Sequence, residues 1–326
     1  MVLMEKTMKI SNDTQMRAVQ IHKYGNAAEL ELQEIAIPSP SEGEVLVKVH
    51  AAAVNPVDWK IREGYLAEII PHQLPVTLGW DFAGEIVAVG QNVNAWSVGD
   101  AVYARPDLLK NGSYAEYVVV AANEIAAKPQ SLNWQKAAAV PLVTLTAWQS
   151  LNDLAQIKQD DRVLIHAGAG GVGIAAIQLA KQAGAFVYTT ASSRNVDFLK
   201  ELGADEVIDY TQADFSKLTD LDIVFDTLGG EVLAKSWGTL KQGGQLVSVA
   251  EVPNEEMAAT HQVKAHFCYA QASAEQLAEI ANLIDAGKLQ VVIDSVYRLE
   301  DVAQAHQKSE TGHVRGKIVI QIEDTQ

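Results

Sequence analysis

Between Arg162 and Ala185 the chain reads RVLIHAGAGGVGIAAIQLAKQAGA, with four of its 22 glycines inside six residues. Gly168, Gly170 and Gly173 stand in the G-x-G-x-x-G spacing, after a strand-like run and at the opening of a helix-like one. Each glycine there has a physical job: a tight turn, close backbone approach to a pyrophosphate, and close helix–strand contact. Gly171 and Val172 open the helix, whose free N–H groups and partial positive charge would face the phosphates. The alternative is a corner whose glycines are purely structural.

The next strand, FVYTT, should say which dinucleotide is held. An NAD site usually carries an acidic residue about 20 positions past the glycines, bonded to the ribose hydroxyls. Here no Asp or Glu occurs between Gly173 and Asp197, and the position reads ASSR. Ser192, Ser193 and Arg194 supply hydroxyls and a cation where a 2′-phosphate would lie, which favours NADPH. The competing reading is a serine N-cap before NVDFLKEL with a solvated arginine, and a serine can both cap and bind.

These groups need elements to position them. From Arg17 to about Ser131 the text is strand-like, with EVLVKVHAAAV, GWDFAGEIVAVG, AVYA and GSYAEYVVV separated by turn signals such as VGD and NGS. This predicts a small, mostly antiparallel barrel or sandwich. From about residue 132 strands and helices alternate: RVLIHA, a helix over 171–183, FVYTT, NVDFLKELGA closed by Gly203, EVI, DIVFDT, the helix EVLAKSWGTL and QLVSVA. That alternation predicts βαβ units and a parallel sheet covered on both faces. One more amphipathic helix, SAEQLAEIANLIDAGKL, and a closing strand, GKIVIQI, follow. Residues 1–15 are polar and unpatterned, a loose extension before the strand MRAVQIHKY.

The bulk numbers set limits on function. At 326 residues the chain exceeds one ordinary core, so two domains are expected. A formal charge of −16 argues against a nucleic-acid partner, which must be met by Lys and Arg. The single cysteine, Cys268, excludes intrachain disulfides and zinc sites built from several thiolates, and suits a reducing, cytoplasmic setting. The longest apolar run, AAAVPLVTLTAW, is broken by Pro141 and too short to span a membrane. The N-terminus has no secretory pattern.

The stretch DDRVLIHAGAGGVGIAAIQLAK resembles the signature of the quinone oxidoreductase and zeta-crystallin-like family of the medium-chain dehydrogenase/reductase superfamily. The resemblance runs from Met16 to Ile322 and includes NPVDWKIREGY, LGWDFAGEIVAVG, VGDAVYA, GSYAEYVVV, VPLVTLTAWQSL and GHVRGKIVI. It implies an α/β fold with a GroES-like catalytic β-barrel over 16–132 and 270–326. A Rossmann NADPH-binding domain would be inserted over 133–269, with the active site in the cleft between them. Zinc-dependent members of the superfamily place a cysteine where this chain has Asn55, Gly-His-Glu where it has Gly79-Trp80-Asp81, and another cysteine near Leu142. Asn, Trp and Leu cannot build a zinc site, so a metal-free branch is expected.

By the same resemblance, Lys60 contacts the nicotinamide ribose or the substrate. Asn55 hydrogen-bonds a carbonyl or carboxamide, and Tyr65 at the cleft rim donates a hydrogen bond or proton. Thr146, with Thr144 as rival, meets the nicotinamide end, and Tyr210 packs beside the adenosine phosphate. Thr227, Leu228, Val249 and Ala250 line strand ends, and Lys317 reaches the cofactor from the catalytic domain. Each of these has a plainer structural reading, and Asp58 and Arg62, four apart, read as an ion pair on a short helix.

Without a Lewis acid to hold an alkoxide, simple alcohol–aldehyde interconversion is disfavoured. Quinones and α,β-unsaturated carbonyls suit better, because the charge left by hydride addition is delocalised. The expectation is a zinc-independent, NADPH-dependent quinone or enone reductase, a homodimer paired through Rossmann sheet edges. The alternative is a non-catalytic, crystallin-like NADPH-binding protein.

Overall fold

The computed structural model describes residues 14–323. Most of the extension expected over 1–15 lies outside the described residues. Thr14 and Gln15 are not loose: the Thr14 carbonyl accepts from Ile37 N–H at 3.1 Å, and Gln15 begins the first strand.

In chain order the first part contains β1 (Gln15–Ile21), β2 (Glu31–Ala36), β3 (Glu44–Val54), α1 (Pro56–Arg62), β4 (Val76–Thr77), β5 (Phe82–Val89), β6 (Ala101–Ala104), β7 (Tyr117–Ala121) and β8 (Ile125–Ala127). Two helices, α2 (Trp134–Ala138) and α3 (Pro141–Trp148), lead into β9 (Arg162–Ile165), α4 (Gly171–Gln182), β10 (Phe186–Ala191), α5 (Val196–Leu202), β11 (Glu206–Asp209), β12 (Leu221–Asp226), α6 (Gly230–Ser236), β13 (Leu240–Ser248), α7 (Glu255–His261) and β14 (Lys264–Phe267). The chain closes with α8 (Ala274–Asp285), β15 (Ile293–Arg298), α9 (Val302–Glu310) and β16 (Lys317–Gln321).

β9 to β14 form a parallel six-stranded sheet in the order β11-β10-β9-β12-β13-β14. The order reverses beside β9, which opens the crevice where such sheets bind ligands. Val163, Leu164 and Ile165 on β9 are fully buried, as a sheet covered on both faces requires. The other large sheet runs β15-β16-β3-β5-β6-β8, with β7 also on β3, so the late strand β16 pairs antiparallel with the early strand β3. A smaller sheet, β2-β1-β4, completes the barrel side.

The two sides are packed together. One continuous core joins Ala51, Ala53 and Tyr103 of the barrel to Val163, Ile177 and Leu277. The alanines let β3 and α2 approach closely, and the Tyr103 hydroxyl donates to the Leu277 carbonyl of α8 at 2.5 Å. Differences from the expected elements are local. The helix expected over 231–240 ends at Ser236, and β13 begins at Leu240 in register with Leu221. α7 and β14 lacked a readable pattern, being a short polar helix and a four-residue edge strand.

Candidate active site

The glycine loop leaves β9 after Ile165. His166 N–H donates to the Phe225 carbonyl, and Gly168 N–H to the Thr190 carbonyl, both at 3.0 Å. Ala167, not a glycine, takes the left-handed conformation in this turn (φ 51°). Gly168 is needed for contact instead: a Cβ there would lie 2.1 Å from Thr189 Oγ1 on β10. At Gly173 a Cβ would lie 2.5 Å from the Ala167 carbonyl oxygen, so this glycine brings α4 against the strand end. Gly170 differs from both. It is the N-cap of α4 without a side-chain cap, and a Cβ there would meet only the Ala167 oxygen at 3.4 Å. Open space and unclaimed N–H groups at the start of a twelve-residue helix fit a dinucleotide pyrophosphate. Val172 is half-buried on the same first turn.

Beyond β10, Ser192 and the turn Ser193–Asn195 precede α5. Neither serine caps that helix: the Ser193 hydroxyl donates to Asp209 Oδ2 at the end of β11, and Asn195 Nδ2 donates to Ser192 Oγ at 3.4 Å. Arg194 is exposed and donates to the His313 carbonyl at 3.0 Å. Arg315, which the sequence reading passed over, donates to Asn195 Oδ1 at 2.8 Å and to the Arg194 carbonyl at 2.9 Å. Asp209 was missed too; hydroxyls of Ser193 and Thr211 hold its carboxyl below the usual range. Two cations and one anion thus border the turn beyond β10. Tyr210 is exposed there, its N–H donating to the Ala191 carbonyl at 3.1 Å. Thr227 donates to the His166 carbonyl at 3.0 Å, Leu228 is exposed beside it, and Val249 N–H donates to Asp226 at 3.0 Å. These residues, with Ala250, gather at one end of the sheet.

At the other end of the loop lies a buried polar cluster. Lys317 Nζ donates to the Val54 carbonyl and to Asp81 Oδ2, each at 3.0 Å, and to Asn55 Oδ1. Asn55 Nδ2 donates to Asp81 Oδ2 at 2.8 Å, and Leu142 N–H to Asp81 Oδ1 at 2.7 Å. All three side chains are buried. Burial pushes the Asp81 carboxyl up, and the Lys317 charge opposes that. Lys317 therefore spends its ammonium on the barrel rather than on a cofactor; its stem reaches the loop, where a Cβ on Gly171 would lie 3.0 Å from Lys317 Cδ. Both ends of the Asn55 amide are likewise engaged within the barrel, Nδ2 donating to Asp81 and Oδ1 accepting from Lys317. Among the described residues no three His, Cys, Asp or Glu side chains converge as a metal set.

Lys60 is half-buried with Nζ 5.8 Å from the Trp59 ring centre, and Tyr65 is 71% exposed, edge-on to Trp59 at 6.5 Å. Thr146 and Thr144 are buried on α3 and donate back to Leu142 (2.7 Å) and Val140 (2.5 Å). Thr144 and Lys317 also line a pocket beside Gly171. The ion pair expected between Asp58 and Arg62 does not form. Asp58 Oδ2 accepts from Asn55 N–H at 2.8 Å and from the Tyr114 hydroxyl at 2.7 Å, while Arg62 pairs with Glu63 and Glu310. Asp58 sits in the first turn of α1 facing the barrel, where burial pushes its carboxyl up to about 7.

Comparison with known proteins gives two family matches: the alcohol dehydrogenase GroES-like domain over residues 41–130 and the zinc-binding dehydrogenase over residues 202–320. A chloroplast envelope quinone oxidoreductase homolog of Arabidopsis thaliana is 35% identical, covering 94% of this chain and 98% of that protein. The mitochondrial NAD(P)H oxidoreductase RTN4IP1 of Danio rerio is 34% identical over 96% of this chain and 93% of its own. The solved quinone oxidoreductase of Coxiella burnetii superposes with a TM-score of 0.90 at 40% identity, over 95% of this chain and 100% of that one.

Proposed function

The chain belongs to the quinone oxidoreductase-like family of the medium-chain dehydrogenase/reductase superfamily, and from that premise we propose that it is a zinc-independent, NADPH-dependent reductase of quinones or α,β-unsaturated carbonyls. It is an oxidoreductase with a nicotinamide-dinucleotide-binding domain; the finer reading rests on the residues of the cleft.

The observation that carries it is the Asn55–Asp81–Lys317 cluster. The positions that would supply metal ligands in zinc-dependent relatives are Asn55, Trp80 and Leu142, and an ammonium already sits bonded to Asn55 and Asp81. A dication there would have to expel Lys317 from a buried ion pair. The chemistry then favours acceptors that delocalise their own charge. When bound, the reduced nicotinamide supplies hydride. The chain's own part is to hold the pyrophosphate on the α4 N-terminus through Gly170, Gly171 and Val172, and to meet a 2′-phosphate with Ser192, Ser193 and Arg194. Thr227, Leu228 and Val249 would floor the cleft, and Lys60, Tyr65 and Thr146 would position its reacting end.

The test is cofactor oxidation by purified, metal-free protein, with NADPH and NADH in parallel, against a simple enone and a 1,4-quinone. Oxidation with NADPH only, indifferent to a chelator, is the expected result. Tight NADPH binding with no turnover on either acceptor would favour the non-catalytic binding protein. Loss of activity to chelator with recovery on zinc would overturn the metal-free reading.

Among the described residues β14 ends the parallel sheet with its outer edge unpaired and its last residue, Phe267, exposed, which supports a homodimer joined edge to edge. Sedimentation of the purified chain decides this. No helix among the described residues is long and apolar enough to cross a membrane. A cytoplasmic location is part of the same proposal, resting on the single, buried cysteine.

A further inference from the structure

Arg105 follows β6 immediately and has no role so far. The β5–β6 register sets Phe82 opposite Ala104, which carries on to place Arg105 across from Asp81. The β6–β8 register sets Ala104 opposite Ile125, which places Glu124 on its other side. The side chain is 5% exposed, and its Nε is buried without a hydrogen-bond partner. Among the described residues no carboxylate reaches it as an ion pair. Asp81 is spent on Lys317, Asn55 and Leu142. Glu124 accepts from Asp107 N–H at 3.3 Å, and Asp107 itself from Leu109 N–H at 3.0 Å. The remaining neighbour is Tyr269, just past β14 on the parallel-sheet side, which shares a side-chain hydrogen bond with the guanidinium. Arg105 therefore stands where the barrel meets the parallel sheet, beside the Asp81–Lys317 pair.

A buried cation with an unmatched Nε–H and no carboxylate paired to it is costly to keep. Apolar replacement of a buried charge is often neutral or stabilising, so its presence where the barrel meets the parallel sheet argues for a ligand that completes it. An arginine fork is suited to an oxygen that gains negative charge.

We propose that Arg105 is a catalytic residue of this reductase, receiving the acceptor's carbonyl oxygen and holding the oxyanion that forms there. The step rests on the reductase reading above. Two electrons and a hydrogen arrive at the β-carbon as hydride from a reduced nicotinamide dinucleotide, forming the new C–H bond. The C=C pair shifts toward the carbonyl carbon, and the C=O π pair moves onto the oxygen beside Arg105. The resulting enolate then takes a proton from solvent at its α-carbon, and the dinucleotide leaves oxidised. For a quinone the same oxygen becomes the first quinol oxyanion.

The test uses Arg105→Met, which keeps the stem, and Arg105→Lys, which keeps a cation. The probe is 4-nitrophenol, a redox-inert phenol whose anion mimics the enolate and absorbs in the visible. Added to wild-type protein without dinucleotide, it should bind as the phenolate; R105M should lose that band and R105K keep part of it. R105M should melt close to the wild-type temperature, because loss of the Tyr269 hydrogen bond is offset by removal of a buried charge that no carboxylate pairs. Its kcat should fall about a hundredfold with unchanged dinucleotide affinity. An R105M protein that keeps the phenolate band and kcat overturns the proposal. So does one that loses both together with its melting temperature while R105K restores only the stability. If wild-type protein reduces no acceptor, the reductase reading fails, and the phenolate band still decides whether Arg105 holds an oxyanion.

Discussion

In the function proposed above, Arg194 is the residue on which cofactor choice turns. Its exposed guanidinium holds only a backbone carbonyl, that of His313, among the hydrogen bonds described above, and it stands beside two serines. Charge-assisted hydrogen bonds to a phosphate are worth about 1.5–3 kcal/mol, so Arg194→Ala should weaken NADPH roughly ten- to a hundredfold and leave NADH nearly unchanged. Fluorescence titration with the two dinucleotides checks it; equal losses would remove the role. Asp209 pulls the other way, since its carboxylate claims the Ser193 hydroxyl. Asp58 supplies a second prediction, on stability. Its folded carboxyl is pushed up to about 7 from an ordinary 3.8, so within that window the folded state holds the extra proton. Stability from this group therefore falls as pH rises from the lower value to the upper. His306, pulled down to about 3 by burial, has the opposite sign: the unfolded chain holds the extra proton between about 3 and 6.5, and stability rises with pH there. Comparing Asp58→Asn with wild type at each pH isolates the first effect. The variant keeps an acceptor for Asn55 and Tyr114, and its advantage in urea midpoint should grow from about pH 4 to about pH 7.

Among the elements, the turn from β9 into α4 was the most legible feature, because strand, glycine spacing and helix all lie within one short run of sequence. What spacing could not say was which glycine does which job. Gly168 and Gly173 lie against other atoms, and Gly170 faces open space. Gly173→Ala should therefore cost about 1–3 kcal/mol of stability or more, since its obstacles are backbone atoms that cannot turn aside. Gly170→Ala should leave the melting temperature almost unchanged and weaken dinucleotide binding. Thermal melts with and without NADPH separate the two. The Asp58–Arg62 pair shows where local reasoning stops. Four-residue spacing permits contact on a helix, but α1 is only seven residues long and turns Asp58 toward Tyr114 of the barrel. Arg62 finds Glu310 on α9 instead, a partner no local pattern announces. Asp81 and Lys317 are more distant still, 236 residues apart, and meet only because β16 returns to pair with β3. That return was expected from the family resemblance; the ion pair it creates was not.

On the scale of the whole molecule, the Lys317–Asp81 pair helps hold the early and late parts of the barrel together beneath the cleft. Removing one partner of a buried pair typically costs about 3–5 kcal/mol, because the other charge is left uncompensated. Lys317→Met should show a loss of that size in urea unfolding, and adding Asp81→Leu should recover much of it. The double variant losing as much again would mean that the two side chains act independently. The same stretch also touches the parallel sheet: Gly316 N–H donates to the Ala169 carbonyl at 2.9 Å, and Gly170 pairs with Gly316 as a parallel β-bridge. A side chain at Gly316 would strike the Val292 carbonyl oxygen at 2.3 Å, so the contact is closed to any bulkier residue. The cleft is thus pinned at one end by main chain. With the shared core and the Tyr103–Leu277 hydrogen bond, that seam ties barrel and parallel sheet into one frame, so a substitution that loosens it is felt on both walls.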